Sequence, residues 1–237
     1  MSSVPVAAVI PAKDEADRIA ATITGVRAID GVDLVVVVDD GSSDATLALA
    51  RAAGAAVMRH RRNRGKAAAM ASGAAYVARL EEGSAPGHLL LFVDADLRTS
   101  AANVAVLVPP VAAGRADMTI ALLPPQERSG GGRGRVVRLA RSGITNLTGW
   151  TPTQPLSGMR CLTRGAFDAA SPLARGWGVE VGLTVDVLAA GLRVAEVPCE
   201  LHHRVTGSDW RGRLHRARQY RDVWLALAAR RLRRARR

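Results

Sequence analysis

Four short apolar runs in the first hundred residues constrain the fold most, because each ends in a polar or charged turn. The runs cover residues 6–10, 34–38, 55–58 and 89–93, and helical segments follow the first three. This alternation is typical of an α/β fold with right-handed crossover connections. Only 3% of the residues are aromatic, so small and β-branched side chains must fill the core, as in a buried parallel sheet. We therefore predict a Rossmann-like, mostly parallel sheet flanked by helices.

The boundaries of these elements follow from local signals. We expect the first strand to end at Pro11, the residue that closes its apolar run. In the second half, the Gly- and Arg-rich residues 126–135 predict a mobile loop and a candidate lid. Residues 1–208 are expected to form one domain. Residues 209–237 are expected to form a basic C-terminal helix that either lies on an anionic membrane surface or packs on the domain or on a second subunit. We predict further helices at 14–26, 44–53, 67–80, 101–111 and 181–190 and further strands at 117–123 and 193–197.

The chain is strongly basic, with a formal net charge of +12, and Lys13 and Lys66 are its only lysines. Nucleic-acid binding is not predicted, because no helix-turn-helix, zinc-finger or aromatic-bearing RNA-binding signature accompanies the charge. A basic surface also suits anionic substrates or anionic lipid. Cys161 and Cys199 lack metal-site spacing and indicate small core residues in a reducing cytosol. With no signal sequence or spanning apolar run, we expect a cytoplasmic protein, with peripheral contact at the inner membrane face left open.

Asp94, Ala95 and Asp96 directly follow the fourth apolar run. Two carboxylates one residue apart at a strand end can share a hard divalent cation, Mg²⁺ or Mn²⁺, with Asp96 as the predicted ligand. That cation would bridge the phosphates of a nucleoside diphosphate and stabilise the leaving group. Turn formation and helix capping are the alternative interpretation of an Asp-x-Asp pair in a loop.

Two more clusters follow earlier strands and are expected at the same sheet edge. Asp39 and Asp40 can accept hydrogen bonds from a base or ribose, or can shape the turn that Gly41 continues. Gly65 and Lys66 open a helix, where backbone approach and a cation suit a diphosphate. A solvated basic turn remains the alternative there.

The first hundred residues resemble glycosyltransferase family 2 and its relatives of the GT-A fold. The resemblance rests on motifs that occur in the family's order, at residues 9–15, 38–46, 63–66 and 94–96. It implies a metal-dependent hexosyltransferase with a UDP- or GDP-sugar as donor. The donor would contact Pro11, Ala12, Lys13, Glu15, Asp39, Asp40, Gly65, Lys66, Asp94 and Ala95.

The second half is most similar to the glucosyl-3-phosphoglycerate synthases, at residues 134–136, 154–158, 176–183 and 203–204. The resemblance implies that Glu180, with Asp96, acts at the reacting sugar, and that His203 is a second metal ligand. It also implies an acceptor site at Arg135, Gly158 and Gly178. Val137 stands where those synthases carry a threonine, which leaves the acceptor undefined.

The leading prediction is therefore hexose transfer to a small phosphorylated acid such as 3-phosphoglycerate. Dolichol-phosphate-mannose synthases share the features of the first half, so a polyprenyl-phosphate acceptor at the membrane face is the alternative. A basic nucleic-acid-binding module is the alternative of another class, and a homodimer is left open. A nucleotidyltransferase or dehydrogenase is disfavoured, because Pro11 to Glu15 replaces the Gly-rich turn expected after the first strand.

Overall fold

A seven-stranded mixed sheet lies at the centre of the computed structural model, which describes residues 4–81, 87–124, 133–201 and 210–235. The strands are β1 Val6–Ala12, β2 Val32–Asp39, β3 Ala56–Arg59, β4 Leu89–Phe92, β5 Met118–Leu122, β6 Arg160–Leu162 and β7 Val194–Pro198. Their spatial order is β3-β2-β1-β4-β6-β5-β7. β6 runs antiparallel to β4 and β5, and the other pairings are parallel. The predicted mostly parallel sheet is confirmed.

Helices cover both faces of this sheet. They are α1 Ala16–Arg27, α2 Thr46–Ala52, α3 Lys66–Leu80, α4 Val108–Ala112, α5 Arg133–Thr148, α6 Arg164–Ala169, α7 Val179–Ala189 and α8 Trp210–Ala235, with 3-10 helices at Arg98–Leu107 and Gly176–Gly178. β1 alternates between the two faces, with Ile10 packing toward α1 and Val9 toward α3. Gly73 permits that second contact, since a Cβ there would lie 2.4 Å from Val9 Cγ1. Both cysteines are buried and free, as expected of small core residues.

β1 does not end at Pro11, as the sequence suggested. Pro11 pairs with Val38 and Ala12 with Asp39, so the strand runs through Pro11 and ends one residue later, at Ala12. On its other side, β1 pairs with β4 only from Val6 to Val9. Pro11 comes where the pairing with β4 stops, so its missing N–H costs no ladder hydrogen bond.

The second half departs most from the sequence-based prediction. Residues 133–135 begin α5, so the predicted loop to Arg135 is wrong at that end, and residues 125–132 lie outside the described part of the chain. α5 is helical because Val136, Ala140 and Ile144 recur at every fourth position and are buried. The helix predicted at 101–111 is instead the 3-10 helix Arg98–Leu107 followed by the short α4.

α5, α7 and α8 form a third packing layer. Val223 and Leu227 of α8 join Ile144 and Val181 in one buried cluster, and Arg230 forms an ion pair with Asp186 of α7. The basic C-terminal helix therefore packs on the rest of the chain along its buried face. Across the described residues, no helix is long and apolar enough to cross a membrane.

Candidate active site

The turns that follow β1 and β2 are tied together by hydrogen bonds. The N–H of Asp14 donates to Ser42 Oγ at 2.9 Å, and that of Ser43 donates back to Asp14 Oδ1 at 2.8 Å. The N–H of Glu15 donates to Thr46 Oγ1 at 2.8 Å. A hydrogen bond from Lys13 and one from the Ser43 N–H lower the pKa of Asp14 to about 2. These bonds hold the two turns as one rigid wall.

Asp39 closes β2 with its side chain fully buried. Its Oδ1 accepts a hydrogen bond from the N–H of Ser42 at 3.1 Å. Its buried Oδ2 has no hydrogen-bond donor among the described residues, although Arg59 Nε lies 3.3 Å away from it. A buried carboxylate oxygen with a free lone pair is suited to accept an N–H or O–H from a ligand.

The next residue is Asp40, and both of its carboxylate oxygens accept hydrogen bonds from the protein. Its Oδ1 accepts from the N–H of Arg64 at 2.8 Å and its Oδ2 from that of Gly65 at 2.7 Å. His60 Nδ1 lies 2.7 Å from Oδ1, and His60 Nε2 pairs with Ser72 Oγ. Asp40 therefore holds the turn before α3, a role that the sequence did not indicate. Gly65 is required in that turn by its φ of +87°.

Lys66 is the first residue of α3 and joins two distant carboxylates. Its Nζ lies 2.7 Å from Asp94 Oδ1, after β4, and 3.2 Å from Glu180 Oε1, in the first turn of α7. Burial alone would lower the pKa of Lys66, but the two carboxylates outweigh it and raise that pKa. Lys66 therefore stays cationic, with 30% of its side chain exposed toward solvent.

Gly158 lies directly against this ion cluster. A Cβ built there would lie 2.5 Å from Lys66 Nζ and 3.0 Å from Asp94 Oδ2. A side chain at position 158 would therefore occupy the place of the ammonium and the carboxylate.

The other two predicted acceptor residues lie elsewhere. Gly178 is two residues from Glu180 but faces α8, where a Cβ would lie 2.7 Å from Asp222 O and 2.6 Å from Ala226 Cβ. Arg135 is exposed in the first turn of α5, and no contact between described residues joins it to the ion cluster.

Residues 7–169 match the family model described as glycosyl transferase family 2, which is more than half of the chain. The chain belongs to glycosyl transferase family 2. A curated relative, glycosyltransferase AglJ of Haloferax volcanii, is 27% identical over 208 residues. That alignment covers 84% of this chain and 63% of the relative, so the chain spans less than two thirds of its length.

Solved structures of glucosyl-3-phosphoglycerate synthase from Mycobacterium tuberculosis are similar over nearly the whole chain. One, in complex with phosphoglyceric acid, is 28% identical with a TM-score of 0.75, covering 96% of this chain and 80% of its own. Another, with Mn²⁺, UDP-glucose and phosphoglyceric acid, is 30% identical with the same TM-score and covers 96% and 79%. A third holds Mg²⁺ and UDP, at 27% identity, TM-score 0.75 and the same coverage of 96% and 79%. The GT-A-like fold expected from the sequence is confirmed by these similarities.

The residues after β4 suit a divalent cation in such a fold. The carboxylate of Asp96 is partly exposed and forms no hydrogen bond or ion pair with another described residue, and Ala95 before it is buried. Within the described ranges, no three His, Cys, Asp or Glu side chains form a ready-made metal cage. One or two carboxylates are nevertheless what Mg²⁺ takes from a protein when substrate phosphates and water complete its shell. His203, the other predicted ligand, lies outside the described residues.

Arg160 is a functional candidate that the sequence did not reveal. It is fully buried in β6, where its Nε donates to Ser157 O at 3.1 Å and its Nη1 to Thr184 Oγ1 at 2.9 Å. Its Nη2 has no hydrogen-bond partner among the described residues. Burial lowers the pKa of Arg160 to about 10, against the opposing pull of Glu180. Arg160 therefore ties the Gly158 turn to the helix that carries Glu180.

Proposed function

We propose that this chain transfers a hexose from a nucleoside diphosphate sugar to a small phosphorylated acid, with a divalent cation at Asp96. The observation that carries the proposal is the cluster of Lys66, Asp94 and Glu180, which three separate elements bring together beside Asp96 at the carboxyl edge of the sheet. Ligands of open α/β sheets bind at that edge. The family match and the UDP complexes of the similar synthases support this reading.

The nucleoside would lie against the wall formed by the β1 and β2 turns. Asp39 Oδ2 supplies a buried acceptor for a base or ribose donor, and Lys13 carries a cation at the rim, where its Nζ pairs with Asp14 at 2.9 Å. Glu15 is held by Arg18 at 2.6 Å and lies near enough to Asp96 for the two charges to interact. The wall thus connects the proposed base pocket to the metal-binding residues.

The diphosphate would lie between Lys66 and Asp96. When bound, the cation would neutralise the negative charge that develops on the leaving diphosphate. Lys66 supplies a second fixed positive charge, because Asp94 and Glu180 orient its ammonium from two sides. The 3.2 Å contact between Lys66 Nζ and Glu180 Oε1 also holds the Glu180 carboxylate beside the proposed diphosphate site.

Glu180 would act on the sugar or the acceptor. Its carboxylate is buried, and in an inverting reaction it is the base that accepts the acceptor's hydroxyl proton. In a retaining reaction, as the resemblance to the synthases implies, the leaving phosphate takes that proton and Glu180 orients the sugar. Both routes need Glu180 fixed, and its place in the first turn of α7 with Lys66 as partner fixes it.

The acceptor that we propose is a three-carbon phosphorylated acid or a close analogue. Phosphoglyceric acid is the acid bound in the similar synthase structures. Gly158 lies against Lys66 and Asp94 at the ion cluster, and exposed Arg135 supplies positive charge on α5. Val137 offers no hydroxyl, so we expect tolerance of analogues that differ from 3-phosphoglycerate near that side chain.

The test is a transfer assay in which UDP-glucose and GDP-mannose are each offered with 3-phosphoglycerate and its analogues, with Mn²⁺, Mg²⁺ or a chelator. We expect cation-dependent product with one donor, and a loss of about 100-fold or more in kcat for Glu180→Gln. Asp30→Asn is the matched control, since Asp30 is an exposed carboxylate in the turn before β2. Turnover by Glu180→Gln at the control's rate would refute the role of Glu180, and no product with any donor would refute the proposed reaction.

A further inference from the structure

The outward face of α8 carries large apolar side chains in an exposed row. Trp224 is 50% exposed, Leu225 49% and Leu232 64%. Their spacing, with Ala228 between them, places them on successive turns of the same helix face. The row extends over more than two helical turns. The chain has only two phenylalanines, four tryptophans and two tyrosines, so an exposed tryptophan beside two exposed leucines is an unusual surface for it.

The opposite face holds the helix firmly in place. Val223 and Leu227 are buried against α5 and α7, and Gly143 admits Leu227 so closely that a Cβ there would lie 2.3 Å from Leu227 Cδ1. Arg230 is buried and bonds to Gly182 O and Ala226 O. The exposed row is therefore presented by a rigid support, and folding of α8 onto the core leaves it uncovered.

Positive charge surrounds the apolar row. Arg218, Arg221, Arg231 and Arg233 are all exposed on α8. Asp222 is the only acidic residue of the segment 210–237. Its Oδ2 accepts a hydrogen bond from the N–H of Trp177 at 3.3 Å, and its Oδ1 pairs with Arg221 at 3.1 Å, so α8 holds no further acidic residue for the other three arginines. The outward surface of α8 is thus apolar along its centre and cationic along its borders.

A partner for this surface must combine negative charge with an apolar interior. A second copy of the chain suits it poorly, because a two-fold contact would bring the same arginines against each other. An anionic bilayer suits both parts, since tryptophan and leucine enter the interfacial region while arginines pair with headgroup phosphates.

We propose that the outward face of α8, defined by Trp224, Leu225, Ala228 and Leu232 with the flanking arginines, docks the protein on an anionic lipid bilayer. The attachment is peripheral, in keeping with the absence of a spanning helix among the described residues. α8 also packs on Gly178, two residues from Glu180, so the bilayer and the proposed active site share one rigid support. This inference goes beyond the proposed sugar transfer and does not depend on it.

The test is co-sedimentation of the full chain with phosphatidylcholine vesicles that contain or lack phosphatidylglycerol. We expect binding only to the anionic vesicles, weakened by added salt because the arginine contacts are screened. The triple variant Trp224→Ser, Leu225→Ser, Leu232→Ser should bind these vesicles more than about tenfold more weakly, because three apolar side chains no longer enter the interface. Circular dichroism should show that the variant keeps its fold, since all three side chains are exposed.

A matched triple variant provides the control. Leu49, Leu80 and Val106 are exposed apolar residues on other helices, and changing all three to Ser should leave vesicle binding unchanged. Nucleotide binding should be the same in both triple variants, which separates this proposal from the proposed reaction.

Three outcomes would overturn the proposal. The first is no binding to anionic vesicles, and the second is equal binding by the α8 variant and the wild type. The third is a dimer, measured by light scattering, that the α8 variant loses while vesicles bind neither protein. That last result would show that a second copy covers the face.

Discussion

Replacing Asp39 with Asn should weaken ligand binding strongly but change the stability of the fold little. Asn has the shape of Asp, and its side-chain oxygen can still accept the hydrogen bond from the N–H of Ser42. The buried Oδ2, which has no hydrogen-bond donor among the described residues, becomes an amide NH₂. The change therefore converts a free acceptor into a donor without altering the volume of the pocket.

The loss in nucleotide affinity follows from that conversion. A hydrogen bond to a charged group contributes about 1.5–3 kcal/mol, and each 1.4 kcal/mol is tenfold in the dissociation constant. If a base or ribose donor faces Oδ2, Asp39→Asn should raise the Kd for the nucleotide about 10- to 150-fold. An amide donor facing the ligand's own donor places the effect toward the upper end of this range.

Stability should change little. The guanidinium of Arg59 lies 3.3 Å from Oδ2 with 58% of its side chain exposed, so this ion pair is worth at most about 1 kcal/mol. Removing the buried charge also removes its desolvation cost. The melting temperature should therefore shift by less than about 4 °C.

Calorimetric titration and thermal denaturation measure the two effects separately. Arg59→Gln, which removes the cation but leaves Asp39 in place, is the matched variant and should retain most of the affinity. Unchanged nucleotide affinity in Asp39→Asn would refute the assignment of Oδ2 to the ligand. A drop of many degrees in melting temperature would show instead that the carboxylate is a structural group.

Three further predictions concern other sites. Gly178→Ala should destabilise the fold by about 1–3 kcal/mol because its Cβ meets α8, whereas Gly165→Ala, with open space at its Cβ, should be neutral or stabilising by up to about 1 kcal/mol; thermal denaturation compares them. Gly158→Ala should displace the Lys66 ammonium and lower kcat about 10-fold or more, with a melting temperature near that of the wild type. The hydrogen bonds with Arg193 lower the pKa of Asp117. Its contribution to the free energy of unfolding is therefore present above about pH 4 and is lost as the pH falls through the lowered pKa. Denaturant titrations at several pH values should show that the stability of Asp117→Asn depends less on acid.

The first half of the fold was predictable because its signals are local. Each parallel strand there is a short apolar run closed by polar residues, and the predicted bounds of β3 and β4 are wrong by no more than one residue. β6 was missed because it is three residues long and contains an arginine. An arginine is expected at the surface unless the surrounding sheet is known. α5 was missed because a Gly-Arg-rich stretch precedes it, although Val136, Ala140 and Ile144 carry a helical period.

The candidate site was predictable as a set of residues but not as an arrangement. The sequence placed Asp39, Lys66 and Asp94 at one sheet edge, since parallel strands end there. The contact of Glu180 with Lys66 joins the first turn of α7 to the start of α3, two elements far apart in the sequence, so no local pattern encodes it. The hydrogen bond from Arg160 of β6 to Thr184 of α7 likewise joins residues that are distant in the sequence.

The central claim is that Asp96 binds a cation together with a nucleoside diphosphate, and calorimetric titration of UDP, GDP and ADP with and without Mn²⁺ tests it most directly. One nucleotide should bind in a Mn²⁺-dependent manner, and Asp96→Ala should abolish this dependence, whereas Asp30→Asn should leave it intact. Equal binding with and without Mn²⁺, equal binding by Asp96→Ala, or no binding of any of the three nucleotides would contradict it.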